Sequence, residues 1–431
     1  MKRFIAILLV SLSMFTVFAN GVQETDSPQD GPTYVDVYIW SSGDDTESKY
    51  IEAYNAQATD VIITPHYIPS SDYESKLTTL LAGGVDIDIF FQKRQTDMFP
   101  HFANGYIEPL NDLIEKHGFD YSSLSSWDSS LSLDGQVLAL PYRAGKHYTY
   151  YNAKAFTDKG LPTPQDLVES GEWTWNKFIE LSQKVSENDG ETYGSCIYIW
   201  GTQQILPAAQ KGVEFIKADG TIDMDESILF SAKMRKTLEE GNDMTRLVDL
   251  KVSKTHYSQV MLQGMAPMLI IGEWFPGMLH GMFANATDPV WNEDDFRITR
   301  MPCDSPKYNS VGVPTFAHIC TSSKKKDAAF QVLAWMASEN GAEAAASLGI
   351  LPPIVNDSVK KILSNTIYDE TSLEYYLEDV PVKPILYNKY GSKIEQTVSN
   401  MTEKFLLNEV SEKDYLHVFK KELENIVDTT Y

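Results

Sequence analysis

Hydrophobic positions change period repeatedly along the chain. TYVDVYIW (33–40) alternates apolar and polar residues and runs into the turn formers SSGDD, which predicts a strand ending at Trp40. TESKYIEAYNAQ then adopts helical spacing, with Tyr50, Ile51 and Tyr54 on one face. DVIITPHYI (60–68) predicts a second strand. SSDYESKLTTLLAGG (70–84) predicts a helix: Ser71 and Glu74 have capping-box spacing, Leu77, Leu80 and Leu81 form the apolar face, and Gly83-Gly84 end it. VDIDIFFQ (85–92) is a third strand. The order β-α-β-α-β argues for a parallel sheet covered on both faces.

The rest of the chain keeps this alternation. LDGQVLALPY (133–142) and KHYTYYNAKAF (146–156) predict two strands with only Arg143-Ala144-Gly145 between them. A proline-opened stretch then becomes a helix capped by Thr174, with Phe178, Leu181 and Val185 as its stripe. Further strands are predicted at GSCIYIWG (194–201), GMAPMLIIGEW (264–274), DFRITRMP (295–302) and NSVGVPTFAHICTSS (309–323). The last leads into a helix carrying Ala329, Val332, Leu333 and Met336 on one side. Residues 352–431 are mostly helical in pattern, with a proline-marked loop at EYYLEDVPVKPILYNKYG. A single core seldom grows past ~250–300 residues, so 431 residues predict two domains.

The N-terminus does not belong to either. Lys2-Arg3 precede an apolar run, Phe4 to Phe18, and Val17-Phe18-Ala19 suits a signal peptidase. The expectation is a secretory signal over 1–19 with cleavage near Ala19, followed by a flexible tether, 20–32. No Cys lies near that cleavage point to carry a lipid. The net charge of −24 repels phosphate backbones and anionic membranes, which argues against nucleic-acid binding. Cys196, Cys303 and Cys320 are far apart and the eight His are scattered, so neither a disulfide framework nor a metal site is expected. No cofactor motif is present, and neither G-x-S-x-G nor a phosphate-binding loop occurs. The acidic pairs Asp44-Asp45, Asp86/Asp88 and Asp294-Asp295 are candidates for glycosidase chemistry, but pairs of this kind arise readily among 60 acidic residues.

Aromatic placement says more. Trp40, Phe90-Phe91, Tyr142, Trp200 and Trp274 each sit at or just past the carboxyl end of a predicted strand, the edge where open α/β sheets bind ligands. Any one of them is as easily core as cleft; together they favour a cleft lined by aromatics. Trp173, Trp175 and Trp335 belong to helices and read as structural, and Trp127, in a Ser-rich loop, fits either role.

Several segments, in order, resemble the family 1 extracellular solute-binding proteins of ATP-driven (ABC) importers, the group that includes maltose-binding protein. They are KLTTLLAGGVDIDIFF, GYIEPLNDLI, LDGQVLALPYRAGKHYTYYNAKAFTDKGLPTP, EWTWNKFIELSQKV, MLQGMAPMLIIGEW, SVGVPTFAHICTSSKKKDAAFQVLAWM and LGILPP. Together they span about residues 33–355. Gln136-Val137 and Pro267 depart from the family pattern.

The resemblance implies a two-lobed α/β fold of type II. Residues 33–142 and 309–350 would form the amino-terminal lobe, and 143–308 and 351–431 the carboxy-terminal lobe. LPYRAG and VGVPTF would cross between them as hinge strands. It also implies a monomer that takes a carbohydrate into the inter-lobe cleft and delivers it to the permease transmembrane subunits. The ligand-facing positions it implies are Trp40 and Asp44, then Phe91, Gln92 and Arg94, in the amino-terminal lobe. In the other lobe they are Trp200, Gln203, Glu273 and Trp274, with Tyr387 and Tyr390 in a late aromatic loop. Tyr142, at a strand exit, completes the set. Two alternatives stay open at the level of sequence: a secreted glycoside-processing enzyme, and a ligand sensor for a membrane receptor.

Overall fold

The computed structural model describes residues 31–430 apart from Asn188 and Tyr368. The expected signal segment, 1–19, and most of the expected tether lie outside the described residues. Nine strands build two sheets: β1 (Thr33–Trp40), β2 (Val61–Ile68), β3 (Ile89–Gln92), β4 (Leu140–Arg143), β5 (His147–Asn152), β6 (Cys196–Ile197), β7 (Met268–Gly272), β8 (Phe296–Thr299) and β9 (Thr315–Ile319). The first sheet has the order β2-β1-β3-β9-β4, with β1 parallel to β2 and β3 and β9 antiparallel to its neighbours. The second has the order β8-β5-β7-β6, with β7 antiparallel to β5 and parallel to β6. Each sheet carries its own helices, giving a two-lobed α/β molecule.

The strand patterns explain their placement. In β1, Val35, Val37 and Ile39 are buried while Tyr34, Asp36 and Tyr38 are not, the period of a half-covered strand. In β7 every residue is buried: Met268 and Ile270 enter one core cluster, Leu269 and Ile271 another on the opposite face. A strand covered on both faces reads as an unbroken apolar run.

Helix boundaries follow local hydrogen bonding. The helix Tyr73–Ala82 has Asp72 at its N-cap with no side-chain cap bond. Ser71 lies one residue too early for a capping box, and its hydroxyl donates to Asp72 Oδ1 instead. Thr174 does cap Trp175–Val185, accepting from the Lys177 N–H at 3.2 Å. β3 begins later than its apolar pattern predicts. Asp88, just before it, accepts from the Asp36 N–H, Ser323 Oγ and Lys325 Nζ. Trp173 and Trp175 are buried, their indoles donating to Arg300 O and Gln210 Oε1, whereas Trp335 is only half-buried against Tyr50 and Tyr54.

The chain passes from the first sheet to the second between β4 and β5 and returns between β8 and β9. These passages touch back to back at two glycines. Gly145 has φ +73°, and a Cβ on it would lie 2.0 Å from Val313 O; a Cβ on Gly312 would lie 1.6 Å from Gly145 O. No side chain fits either position. His147 and Ser310 bond across the same contact: Ser310 Oγ accepts from the His147 N–H and donates to its carbonyl. Leu351 reaches the first crossing, its carbonyl accepting from the Ala144 N–H at 2.9 Å. Trp127 packs against core clusters of both lobes.

Candidate functional site

Where the crossings meet the carboxyl ends of β1, β4 and β7, one cation gathers the groups around it. Arg143 ends β4 and is 7% exposed. Its guanidinium lies 5.5 Å from the Trp40 ring, 5.0 Å from Tyr142 and 5.3 Å from Trp274, distances at which ring faces attract a cation. Trp40 ends β1 in the first lobe and Trp274 follows β7 in the second. One side chain therefore bridges the two.

Two carboxylates flank it. Glu47, in the first turn of Thr46–Asn55, accepts from Arg143 Nη1 at 3.4 Å. Asp45 caps this helix through the Ser48 N–H and is tied down by Ser41 and Ser42. Glu273 comes from the second lobe, is fully buried and stands 3.9 Å from Arg143 Nε, beyond hydrogen-bond reach. Burial pushes its carboxyl up to about 7, against the opposing pull of Arg143, the nearby main chain and Lys146. Burial also raises Glu47, again against Arg143. Arg143 Nε, both Glu273 oxygens, Gln203 Oε1 and the Tyr142 hydroxyl are buried without hydrogen-bond partners.

The second lobe supplies an aromatic wall. Trp274 donates its indole N–H to Tyr257 Oη at 2.7 Å and meets Trp200 with ring centroids 6.2 Å apart. Gly272 makes room for it, since a Cβ there would fall 1.9 Å from the indole ring. Tyr198, Trp200 and Tyr257 contact one another edge-on. His147 meets the Trp274 ring at 6.2 Å. Burial holds its pKa down to about 4, so it is neutral. Its Nδ1–H donates to Val311 O, which leaves Nε2 to accept from Gln203 Nε2 at 2.7 Å.

Trp40, Tyr142, Trp200, Gln203, Glu273 and Trp274 thus gather in one neighbourhood. Phe91 stands directly behind it, fully buried, edge-on to Trp40 and Tyr142. Gln92 is buried and holds the loop after β3, donating to Arg94 O and meeting His101. Arg94 lies at the rim beside Asp97 and, at 3.9 Å, Glu395. Asp44 is exposed and accepts from Ser42 Oγ. Tyr387 packs on Phe99 and Phe316 and donates to Ser130 O, and Tyr390 lies in the second lobe's core.

Arg143, Glu47, His147 and Tyr257 escaped sequence reasoning. Glu47 looks like any acidic residue in a first helical turn. Arg143 did carry a signal: it is a charge set between Tyr142 and the small residues of a crossing. No local pattern marks His147 or Tyr257.

A family model described as bacterial extracellular solute-binding protein matches residues 40–343. A mannitol-binding protein from Pseudomonas aeruginosa is 30% identical over 95 residues, covering 22% of this chain and 20% of that protein, so the match spans about a fifth of the relative's length. A solved structure of a sugar transporter from Rhizobium etli, in an open conformation, shares 23% identity with a TM-score of 0.72, covering 93% of this chain and 100% of that one. An ABC substrate-binding protein from Listeria monocytogenes, in complex with cycloalternan, shares 19% identity with a TM-score of 0.76, covering 92% and 99%. At such identities the likeness is one of fold.

Proposed function

Because the chain belongs to the bacterial extracellular solute-binding protein family, we propose that it is a secreted, non-catalytic receptor that captures a carbohydrate between its lobes and delivers it to the transmembrane subunits of an ATP-driven importer. The observation that carries this reading is the set of aromatic residues drawn from both lobes, Trp40 and Trp274 both lying against Arg143. Flat rings cover the C–H faces of a sugar while buried carboxylate and amide groups bind its hydroxyls, the usual division of a pocket into apolar wall and few polar groups. The names of the mannitol-binding relative and of the two structures point the same way.

We assign residues 33–142 and 309–350 to one lobe and 143–308 and 351–431 to the other; membership of the two sheets supports this division, except that Arg143 closes β4 and belongs with the first sheet. Closure by rotation at the Gly145–Gly312 contact would bring Trp40 and Trp274 onto one ligand. Export through cleavage near Ala19 belongs to the same reading. Three of the acidic-pair residues have other engagements or settings: Asp45 caps a helix, Asp88 holds β1 and Lys325, and Asp44 is exposed.

Trp274→Ala tests the proposal. Covering a large apolar side chain is worth ~1.5–3 kcal/mol, so the variant should bind D-mannitol, maltose or cycloalternan roughly 10–150-fold more weakly than the parent binds the same compound. Calorimetric titration reads the affinity, and chromatography after long incubation should show no product. A variant that unfolds easily yet binds normally when folded would place Trp274 in the core and defeat the proposal.

A further inference from the structure

Stacking a sugar requires aromatic faces and a few hydroxyl partners; it does not require a cluster of charges withdrawn from water. The groups facing the site are Glu47 from its helix, Arg143 from β4, Lys146 from the crossing and Glu273 from the end of β7, with Tyr142, Tyr257 and the neutral His147 around them. We infer that Arg143, set between Glu47 and Glu273, is a specificity-determining residue that admits uncharged, hydroxyl-rich ligands and excludes sugar acids. The inference rests on the carbohydrate reading above and narrows it.

Charge comes first. A buried Arg is ordinarily a ready partner for a carboxylate ligand. This one is already engaged on two sides, by Glu47 at 3.4 Å and Glu273 at 3.9 Å. Lys146, the other nearby cation, donates to Glu378 O at 2.7 Å and is held further by Asp379 and Glu378. Each cation already has carboxylates beside it, so no positive charge is left for an anion. An incoming carboxylate would meet two others in a buried setting, where like charges repel strongly.

Hydrogen bonding gives the same answer independently. Arg143 Nε is an unpaired donor and the Glu273 oxygens are unpaired acceptors, and Arg143 Nε stands 3.9 Å from Glu273 Oε1. That separation is too long for a direct bond and short enough for one hydroxyl to bridge. A hydroxyl donates and accepts at once, so it satisfies both groups; a carboxylate only accepts, and would turn its lone pairs on Glu273. Gln203 Oε1, also buried and unpaired, adds a further acceptor for a hydroxyl.

The test is a matched panel titrated calorimetrically at pH 8: D-mannitol, maltose and cycloalternan against gluconate, glucuronate and galacturonate. The neutral ligand that binds should do so at least ~100-fold more tightly than any acid. Glu273→Gln and Glu47→Gln, each checked for folding by urea unfolding, should narrow that gap ~10-fold or more through better binding of the acid. The parent's gap should also narrow at pH 5.5, where Glu273 is protonated, and narrow less in Glu273→Gln, where only Glu47 remains to titrate. An acid bound as tightly as its neutral counterpart by the parent overturns the inference alone. So does a gap unchanged in both folded variants. Absence of binding across both classes overturns the carbohydrate reading itself and this inference with it.

Discussion

Arg235 and Arg143 are both buried, at 2% and 7% exposure, yet they are held in opposite ways. Arg235 lies on the helix Glu226–Glu240 and donates to Ile197 O, Thr245 O and Glu239, four residues on. Glu239 in turn accepts from the Leu247 N–H at 3.0 Å. These bonds tie the helix to β6 and the loop beyond it, mostly through main-chain carbonyls that need a donor. Arg143 has one long bond to Glu47, three ring faces and a second carboxylate out of reach. Its partners are side chains from both lobes. The Nε of each lacks a partner, so the difference lies in the neighbours: a buried charge held through main-chain carbonyls holds the fold, and one surrounded by under-satisfied side chains marks the place where a ligand's polar groups complete the pairing.

The largest effect should come from breaking the arginine held through main chain. Arg235→Leu leaves Glu239, whose side chain is 11% exposed, without its cation, and two buried carbonyls without that donor. Removing one partner of a buried pair costs about 3–5 kcal/mol, and urea unfolding should show a loss of that order. The folded fraction should bind ligand with parental affinity. A stable variant with weakened binding would erase the distinction drawn between the two arginines.

Glu273 gives a smaller effect with a definite sign. Its folded pKa of about 7 lies above the ordinary 4.5, so the folded state binds the proton more tightly than the unfolded chain. Its penalty on stability is absent below about 4.5, grows as pH rises to about 7 and is complete above that. Glu273→Gln removes the titration. Without ligand, it should match the parent near pH 4 and exceed it by ~1–3 kcal/mol at pH 8. Equal unfolding midpoints at both pH values would mean that Arg143 compensates the carboxylate fully.

Much of the fold was legible because it is local. Period-two patterning located β1, Thr174 marked a helix start, and the apolar run 266–271 read as a buried strand. Strand lengths were less so: Asp88 takes hydrogen bonds that a ladder would have taken, and β6 is only two residues long. At the site, aromatic residues at strand exits were visible because topology delivers them. Glu47, Arg143 and Glu273 lie about a hundred residues apart, and their burial together arises only when the lobes meet. Tyr387 and Tyr390 show the reverse limit, since the same aromatic-loop pattern serves a packing contact at one position and a core at the other.

The smallest expected effect concerns the rim. Arg94 follows β3, and Glu395 lies on Gly391–Leu406, whose apolar face packs into the second lobe's core. Their 3.9 Å contact joins the lobes outside the aromatic wall, with side chains 46% and 20% exposed. Burial raises the Glu395 pKa and Arg94 opposes it. Exposed pairs contribute about 0–1 kcal/mol, so breaking this one should weaken ligand affinity by at most ~5-fold. Arg94→Ala and Glu395→Ala should therefore lower affinity to a similar small degree, and the double variant should add little, because both remove one contact. Raising salt toward 1 M, where screening acts over about 3 Å, should abolish the difference from the parent. If Arg94 instead reaches the ligand, Arg94→Ala alone would cost more than ~10-fold, would do so equally in the Glu395→Ala background and would survive salt. That result would move Arg94 from the rim into the binding set and make its contact with Glu395 incidental.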